Sequence, residues 1–159
     1  MIICTFAGHR NILHSGVREH VNAVLEELVS RDDEFIFYSG GMGEFDALCG
    51  RAVRDMKKRY RRKNIRLILV EPYMKQSINT EGDFLLRCYD EIIIPEELES
   101  VHYKRAIPLR NRWMVDQSDC LISYTYRNFG GAYETTQYAE QSDRCRRSGS
   151  RFGQPSSGF

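Results

Sequence analysis

The chain has 159 residues, 42% hydrophobic and 28% charged, so it can bury the core of one compact domain without disulfides. A formal net charge of +1 gives no reason to expect nucleic acid or a membrane as a partner. The five cysteines form no CxxC pair, and no apolar run approaches membrane-spanning length. These features favour reduced thiols and a cytoplasmic location.

Short apolar segments alternate with helical patterns along the chain. Apolar runs predict five buried strands, at residues 1–6, 35–38, 65–70, 91–94 and 120–124. Apolar residues recur at helical spacing from Val17 to Val29 and from Phe45 to Tyr60. Two further helices are predicted, one in the stretch that begins at Pro108 and carries Arg110 and Arg112, and one after Gly131. This alternation predicts an α/β, Rossmann-like, doubly wound fold with a mostly parallel sheet and helices on both faces.

The domain is predicted to cover residues 1–141. Residues 142–159 are rich in Gly, Ser and Arg and lack an apolar period. Such a composition buries too little surface to offset its ordering entropy, which predicts a disordered tail. A truncated or frame-shifted end is the alternative to a natural tail.

Glycine-bearing loops follow three of the predicted strands. In open α/β sheets, ligands bind beyond the carboxyl ends of the strands, so these loops are expected to line one pocket. The Gly130–Gly131 pair, between a strand and a helix, predicts a phosphate site built from backbone amides and the helix dipole. The predicted ligand-binding residues are Gly8, His9, Arg10, Gly40, Gly41, Gly43, Asp46, Arg110, Gly130 and Gly131.

Four motifs carry a family resemblance. They are Cys4-Thr-Phe-Ala-Gly-His-Arg10, Ser39-Gly-Gly-Met-Gly-Glu-Phe-Asp46, Arg110-Asn-Arg-Trp-Met-Val-Asp-Gln-Ser-Asp119 and Gly130-Gly-Ala-Tyr-Glu-Thr135. Together they resemble the SLOG superfamily, and more closely its GHR-motif bacterial branch, related to the YpsA-like group. The resemblance implies a Rossmann-like pocket for a nucleotide or a nucleotide-derived phosphorylated ligand, often in a dimer. We therefore expect a sensor or regulator that binds such a ligand, with no cofactor or metal; a homo-oligomer is left open.

The same superfamily suggests two alternatives. Its LOG-type phosphoribohydrolases split N6-modified AMP, and the arginine they share falls on Arg110. Their catalytic glutamate falls on Gln137, so in an N-glycosidase of this type Arg110 and Glu134 would be the catalytic residues. The superfamily also includes DNA-processing protein A, which holds single-stranded DNA. The basic run at residues 51–66, with nine Lys/Arg against one Asp, is the feature that motivates this alternative; a solvated helix end is its plainer interpretation.

Overall fold

The computed structural model describes residues 1–148, and it forms a single six-stranded sheet. The sheet has the order β4-β3-β2-β1-β5-β6, and every neighbouring pair of strands is parallel. The strands are β1 Ile2–Gly8, β2 Glu34–Ser39, β3 Asn64–Val70, β4 Glu91–Ile93, β5 Cys120–Tyr124 and β6 Arg146–Ser148. The helices are α1 Val17–Val29, α2 Gly43–Arg59, α3 Gln76–Cys88, α4 Tyr103–Asp116 and α5 Gly131–Glu140, with a short 3-10 helix at Glu96–Leu98.

The order in which strands are added to the sheet reverses at β1. From β1 the chain moves through β2 and β3 to β4, and after α4 it returns to β5 on the other side of β1. Because parallel crossovers are right-handed, α1 to α3 cover one face and α4 and α5 the other. The predicted Rossmann-like, doubly wound fold is confirmed.

The core consists of the central strands and the inner faces of the helices. All five residues of β5 are buried, as are Val21 and Leu25 of α1 and Val53 of α2. The continuous burial of β5 explains why its sequence is mostly apolar and lacks a regular polar alternation, since a parallel strand is covered on both faces.

Two helices differ from the sequence expectation. Helix α3 was not anticipated, and no residue whose burial is described in it is fully buried. Helix α4 begins at Tyr103 and contains Pro108, whereas the sequence placed its recognisable part from Pro108 onward. Proline lacks an N–H donor and is usually found in the first turn of a helix. The start predicted at Pro108 therefore lies later in the chain than the observed start at Tyr103.

The segment after Gln141 contains a strand. Residues 146–148 of β6 pair with residues 120–122 of β5, although the sequence assigned them to a disordered tail. Strand pairing satisfies backbone N–H and C=O groups and needs no apolar period in the strand, which is why composition missed it. The remainder of the predicted tail, residues 149–159, lies outside the described residues, and the boundary at Gln141 stays a prediction.

The cysteines are not all reduced. Cys4 of β1 and Cys120 of β5 are paired across neighbouring strands, with their Cα atoms 4.8 Å apart, and form a disulfide. The expectation of reduced thiols is therefore wrong for this pair, because the strand register brings together residues that lie 116 positions apart. Cys49, Cys88 and Cys145 are free.

None of the helices in residues 1–148 has the length and apolar character required to cross a lipid bilayer. The cytoplasmic location stays a prediction.

Candidate functional site

A cavity of about 370 Å³ lies at the carboxyl edge of the sheet, between the ends of β1 and β5. These strands are neighbours, and Gly8 pairs with Tyr124 at the last position of their register. The chain leaves them toward opposite faces of the sheet, so their loops diverge and leave a crevice. This is the switch point at which doubly wound folds bind ligands.

Three glycines of the predicted site serve close packing. A Cβ atom on Gly8 would lie 2.2 Å from the Phe45 ring, and one on Gly40 would lie 2.8 Å from Nη1 of Arg110. Gly43 has φ +87°, and a Cβ there would lie 2.7 Å from Cα of Arg10. These glycines are required so that α2 and α4 can approach the strand ends closely.

Gly130 and Gly131 border open space at the cavity. Apart from the chain neighbours and the backbone of α5, no atom of residues 1–148 is found within 4 Å of a Cβ built on either residue, and both line the cavity. Gly130 has φ 90° and caps α5 without a side-chain hydrogen bond. The first amides of α5 therefore have no side-chain cap, which is the arrangement that binds a phosphate at a helix N-terminus.

His9 joins the two loops that border the cavity. Its backbone N–H donates to the Tyr124 carbonyl at 3.1 Å, and its Nε2 accepts the Arg127 N–H at 3.2 Å. Burial, aided by the positive charge of Arg127, lowers the pKa of His9. The neutral imidazole is thus favoured, and an Nε2 that accepts a hydrogen bond places the proton on Nδ1.

Basic and aromatic side chains form the rim of the cavity. The Arg127 guanidinium lies 5.1 Å from the Tyr126 ring centre and 5.7 Å from that of Phe129, whose side chain is 62% exposed. Arg10, also exposed, lines the same cavity. The Tyr126 hydroxyl donates to the Asn11 carbonyl at 3.1 Å and so ties the rim to the loop after β1. Sequence reasoning missed Tyr126, Arg127 and Phe129; their signal was one arginine flanked by two aromatic residues directly before the glycine pair.

Arg110 is 2% exposed and ties three elements together. Its Nη1 donates to the carbonyls of Gly40 at 3.0 Å and Val70 at 2.7 Å, and its Nε donates to Oδ1 of Asn111. Its Nη2 contacts the Met42 sulfur at 3.4 Å. These contacts use four of the five N–H donors of the guanidinium, so Arg110 organises the cavity wall and keeps at most one donor for a ligand.

Asp46 is the carboxylate that lines the cavity. It accepts the Met42 N–H at 3.0 Å from the first turn of α2. Burial raises its pKa to about 6, against the opposing effects of that hydrogen bond and of Arg110. The carboxylate therefore titrates close to neutral pH.

Not every predicted residue faces the cavity. Gly8, His9, Arg10, Gly40, Asp46, Arg110, Gly130 and Gly131 line it, whereas Gly41, Gly43 and Glu134 are absent from its described lining. Glu134 is exposed on α5, with its backbone N–H bonded to the Gly130 carbonyl. The N-glycosidase alternative thus gains no support from the position of its proposed carboxylate.

The basic run at residues 51–66 is distributed over a helix end and a strand. Four of its cations form ion pairs with carboxylates from other parts of the chain: Lys57 with Asp90, Arg59 with Glu26, Lys63 with Asp33, and Arg66 with Glu91. Exposed pairs of this kind contribute little to stability, but they offset the positive charge of the run. The cations at the cavity come from elsewhere in the sequence.

Comparisons with known proteins give one relative by sequence and, among solved structures, a protein of similar fold. No protein-family model matches the chain. The chain is similar to the uncharacterized SPbeta prophage-derived protein YoqJ of Bacillus subtilis (strain 168), at 26% identity over 141 residues, covering 79% of this chain and 81% of that protein.

Among solved structures it is similar to DNA processing protein A from Helicobacter pylori, a structure determined for its single-stranded DNA binding mode. The TM-score is 0.63 at 16% identity, covering 95% of this chain and 66% of that one, so the chain spans just under two thirds of that neighbour. This similarity establishes a shared fold.

The comparison corrects one expectation. We did not expect nucleic acid as a partner, because the net charge is close to zero, yet the solved structure of similar fold belongs to a protein that binds single-stranded DNA. Net charge describes the whole molecule, whereas a nucleic acid contacts a local surface. Here Arg10 and Arg127 concentrate positive charge at the cavity.

Proposed function

We propose that the cavity between β1 and β5 binds single-stranded DNA, with one nucleotide in the cavity and a neighbouring base against its rim. The observation that carries this proposal is the position of Arg127, which lies close to the rings of both Tyr126 and Phe129 and lines the same cavity as the Gly130–Gly131 pair.

The first step of the argument is the phosphate. The N-terminus of α5 presents backbone amides without a side-chain cap, and its dipole favours a negative charge. Arg10 and Arg127 line the same cavity and add positive charge at its mouth. A backbone phosphate of DNA satisfies both features.

The second step is the base. Exposed aromatic rings and arginine planes are the surfaces on which unpaired bases stack, and such stacking tolerates any base. Phe129, exposed beside the cavity, has this character, and the Arg127 guanidinium, which lies near both the Tyr126 and Phe129 rings, adds a second surface of the same kind. A phosphate site beside a stacking surface suits a nucleotide within an unpaired strand.

The comparisons supply support of a different kind. A protein of similar fold binds single-stranded DNA. Together with the motif resemblance, this similarity favours the assignment of the chain to the SLOG superfamily. The assignment to its GHR-motif branch near the YpsA-like group stays a prediction that rests on the motifs.

The test is fluorescence anisotropy with a rhodamine-labelled thymidine oligonucleotide. Arg127→Ala is expected to weaken binding by about 1–3 kcal/mol, because it removes a cation and a stacking surface together. Arg112→Ala is the matched control, since Arg112 lies 5.3 Å from the Tyr138 ring centre but is outside the described cavity lining. Equal losses in the two variants would contradict the proposal.

A second variant in the same assay examines the phosphate contact. In Gly131→Ala the new Cβ meets no atom of the described residues outside α5 and its chain neighbours, so stability is expected to stay within about 0.5 kcal/mol of the wild type. Affinity should fall, because the methyl group occupies the space assigned to the phosphate. Unchanged affinity in this variant would remove the helix N-terminus from the site.

A free nucleotide derivative, bound by a sensor or regulator, is the second candidate. The observation that favours it is the cavity volume of about 370 Å³, which is within the usual range for small-molecule pockets. Calorimetry with nucleoside monophosphates separates the two. A mononucleotide that binds as tightly as the oligonucleotide would favour the free ligand.

A further inference from the structure

His9 makes three contacts with the end of β5 and with the loop at residues 125–129 that follows it. Its backbone N–H bonds to the Tyr124 carbonyl, its Nε2 accepts the Arg127 N–H at 3.2 Å, and its ring packs edge-on against Tyr126 with the ring centres 4.5 Å apart. The residue is 8% exposed. One buried imidazole therefore contacts two residues of the rim, Tyr126 and Arg127.

The contact with Arg127 depends on the protonation state of the imidazole. A neutral ring accepts a hydrogen bond at Nε2, whereas a protonated ring carries donors on both nitrogens and cannot accept the Arg127 N–H. A protonated ring would also place a positive charge beside the Arg127 guanidinium. Protonation therefore removes one of the hydrogen bonds that join the two loops, while the bond from the Tyr126 hydroxyl to the Asn11 carbonyl remains.

We propose that His9 is a positioning residue for the DNA-binding rim, whose Nε2 lone pair holds the Arg127 amide and so keeps the Tyr126 ring and the Arg127 guanidinium in place for the strand. This inference rests on the proposed function and adds a regulatory property to it: affinity for single-stranded DNA falls on acidification. His9 acts through the loop and needs no contact with the strand itself.

Burial and the charge of Arg127 lower the pKa of His9, so the hydrogen bond from the Arg127 N–H to Nε2 is kept at neutral pH and lost on acidification. Other titratable or charged groups face the same region. They are Arg10 and His14 from the loop after β1, Asp46 from α2, Arg110 from α4, and Tyr124, Tyr126 and Arg127 from β5 and its loop. Protonation of Asp46 has the opposite expected effect, since it removes a negative charge from a phosphate-binding cavity. The contribution of His9 must therefore be measured against a variant that retains Asp46.

The experiment compares pH profiles of binding between pH 5 and pH 8. The probe is a thymidine oligonucleotide with a tetramethylrhodamine label and no terminal phosphate, because its internal phosphodiesters do not titrate in this range. His9→Gln retains an uncharged acceptor, and His9→Leu removes the acceptor. His20→Gln in α1, outside the described lining of the cavity, is the matched control, and circular dichroism at each pH verifies folding.

Wild type and His20→Gln are expected to lose affinity on acidification by about five- to tenfold more than His9→Gln, the order of one lost hydrogen bond. At pH 8, His9→Leu should bind about five- to tenfold more weakly than His9→Gln, because only glutamine retains an acceptor for the Arg127 N–H. The same pH profile in wild type and His9→Gln, or equal affinities of His9→Leu and His9→Gln at pH 8, would overturn the inference while leaving the proposed function intact. No binding by the wild type at any pH would overturn the proposed function and this inference with it.

Discussion

Individual glycines have two different functions at this edge of the sheet. Gly8 and Gly40 leave room for the Phe45 ring and the Arg110 guanidinium, so they shape the wall of the cavity. Gly130 and Gly131 leave room that none of the side chains described by the structure fills. The same residue type therefore marks packing at one strand end and ligand access at another, and the difference depends on the atoms opposite each glycine.

Asp46 gives a prediction at this scale. Its pKa is raised from 3.8 to about 6, so the folded state prefers the protonated carboxyl. That preference stabilises the fold fully below about pH 3.8 and is lost as the pH rises through about 6. Between pH 4 and pH 7 the wild type should lose up to about 3 kcal/mol relative to Asp46→Asn, which does not titrate there.

Urea unfolding of the two proteins at successive pH values measures this difference. The comparison removes the opposite contribution of Asp32, whose lowered pKa is shared by both proteins. Parallel stability curves for wild type and Asp46→Asn would show that the carboxyl is not desolvated in the folded state.

At the scale of elements, strands β1 and β5 form the centre of the molecule. They come from opposite ends of the sequence, pair over five residues, and carry the two loops that His9 joins. Their pairing is therefore a requirement for both the fold and the site. The Cys4–Cys120 disulfide fixes this pair covalently.

Reduction of this disulfide is expected to destabilise the protein. A cross-link between residues 116 positions apart restricts the unfolded chain, and the usual contribution of a native disulfide is about 2–5 kcal/mol. Urea unfolding with and without a reductant measures it, and Cys4→Ala/Cys120→Ala is the control that should not respond to the reductant. Five titratable thiols in the unfolded, unreduced protein would show that the bond had not formed.

At the scale of the whole molecule, the distribution of charge matters more than its sum. A net charge of +1 conceals a basic run that is partly paired with carboxylates and a cavity with Arg10 and Arg127 at its mouth. Association with a polyanion depends on the cations that reach phosphates, since each of these releases a counterion.

The salt dependence of binding tests this distribution. For a single strand, the logarithm of the affinity falls against the logarithm of the salt concentration with a slope of about −0.7 for each phosphate neutralised. Arg10→Ala is expected to reduce the steepness of the slope by about 0.7, whereas Lys58→Ala/Arg62→Ala in the basic run should leave it unchanged. The reverse result would move the binding surface from the cavity to the basic run.

The sequence by itself determined the alternation of strands and helices, the parallel sheet and the edge at which loops collect, because these follow from local periodicity and from the physics of burying a strand on both faces. It also indicated Gly130 and Gly131, since a glycine pair between a strand and a helix is a local signal. It missed α3, whose apolar residues stay partly exposed, and β6, whose pairing needs no apolar pattern.

Only the tertiary structure decided what the site residues contact. It directed the donors of Arg110 to backbone carbonyls, placed Glu134 outside the described lining of the cavity, and brought Tyr126, Arg127 and Phe129 to its rim. It also paired Cys4 with Cys120 and joined His9 to Arg127, which lies 118 residues away. These contacts depend on strand order and register, which are set by the packing of the whole chain and leave no trace in the local periodicity from which a single sequence is read.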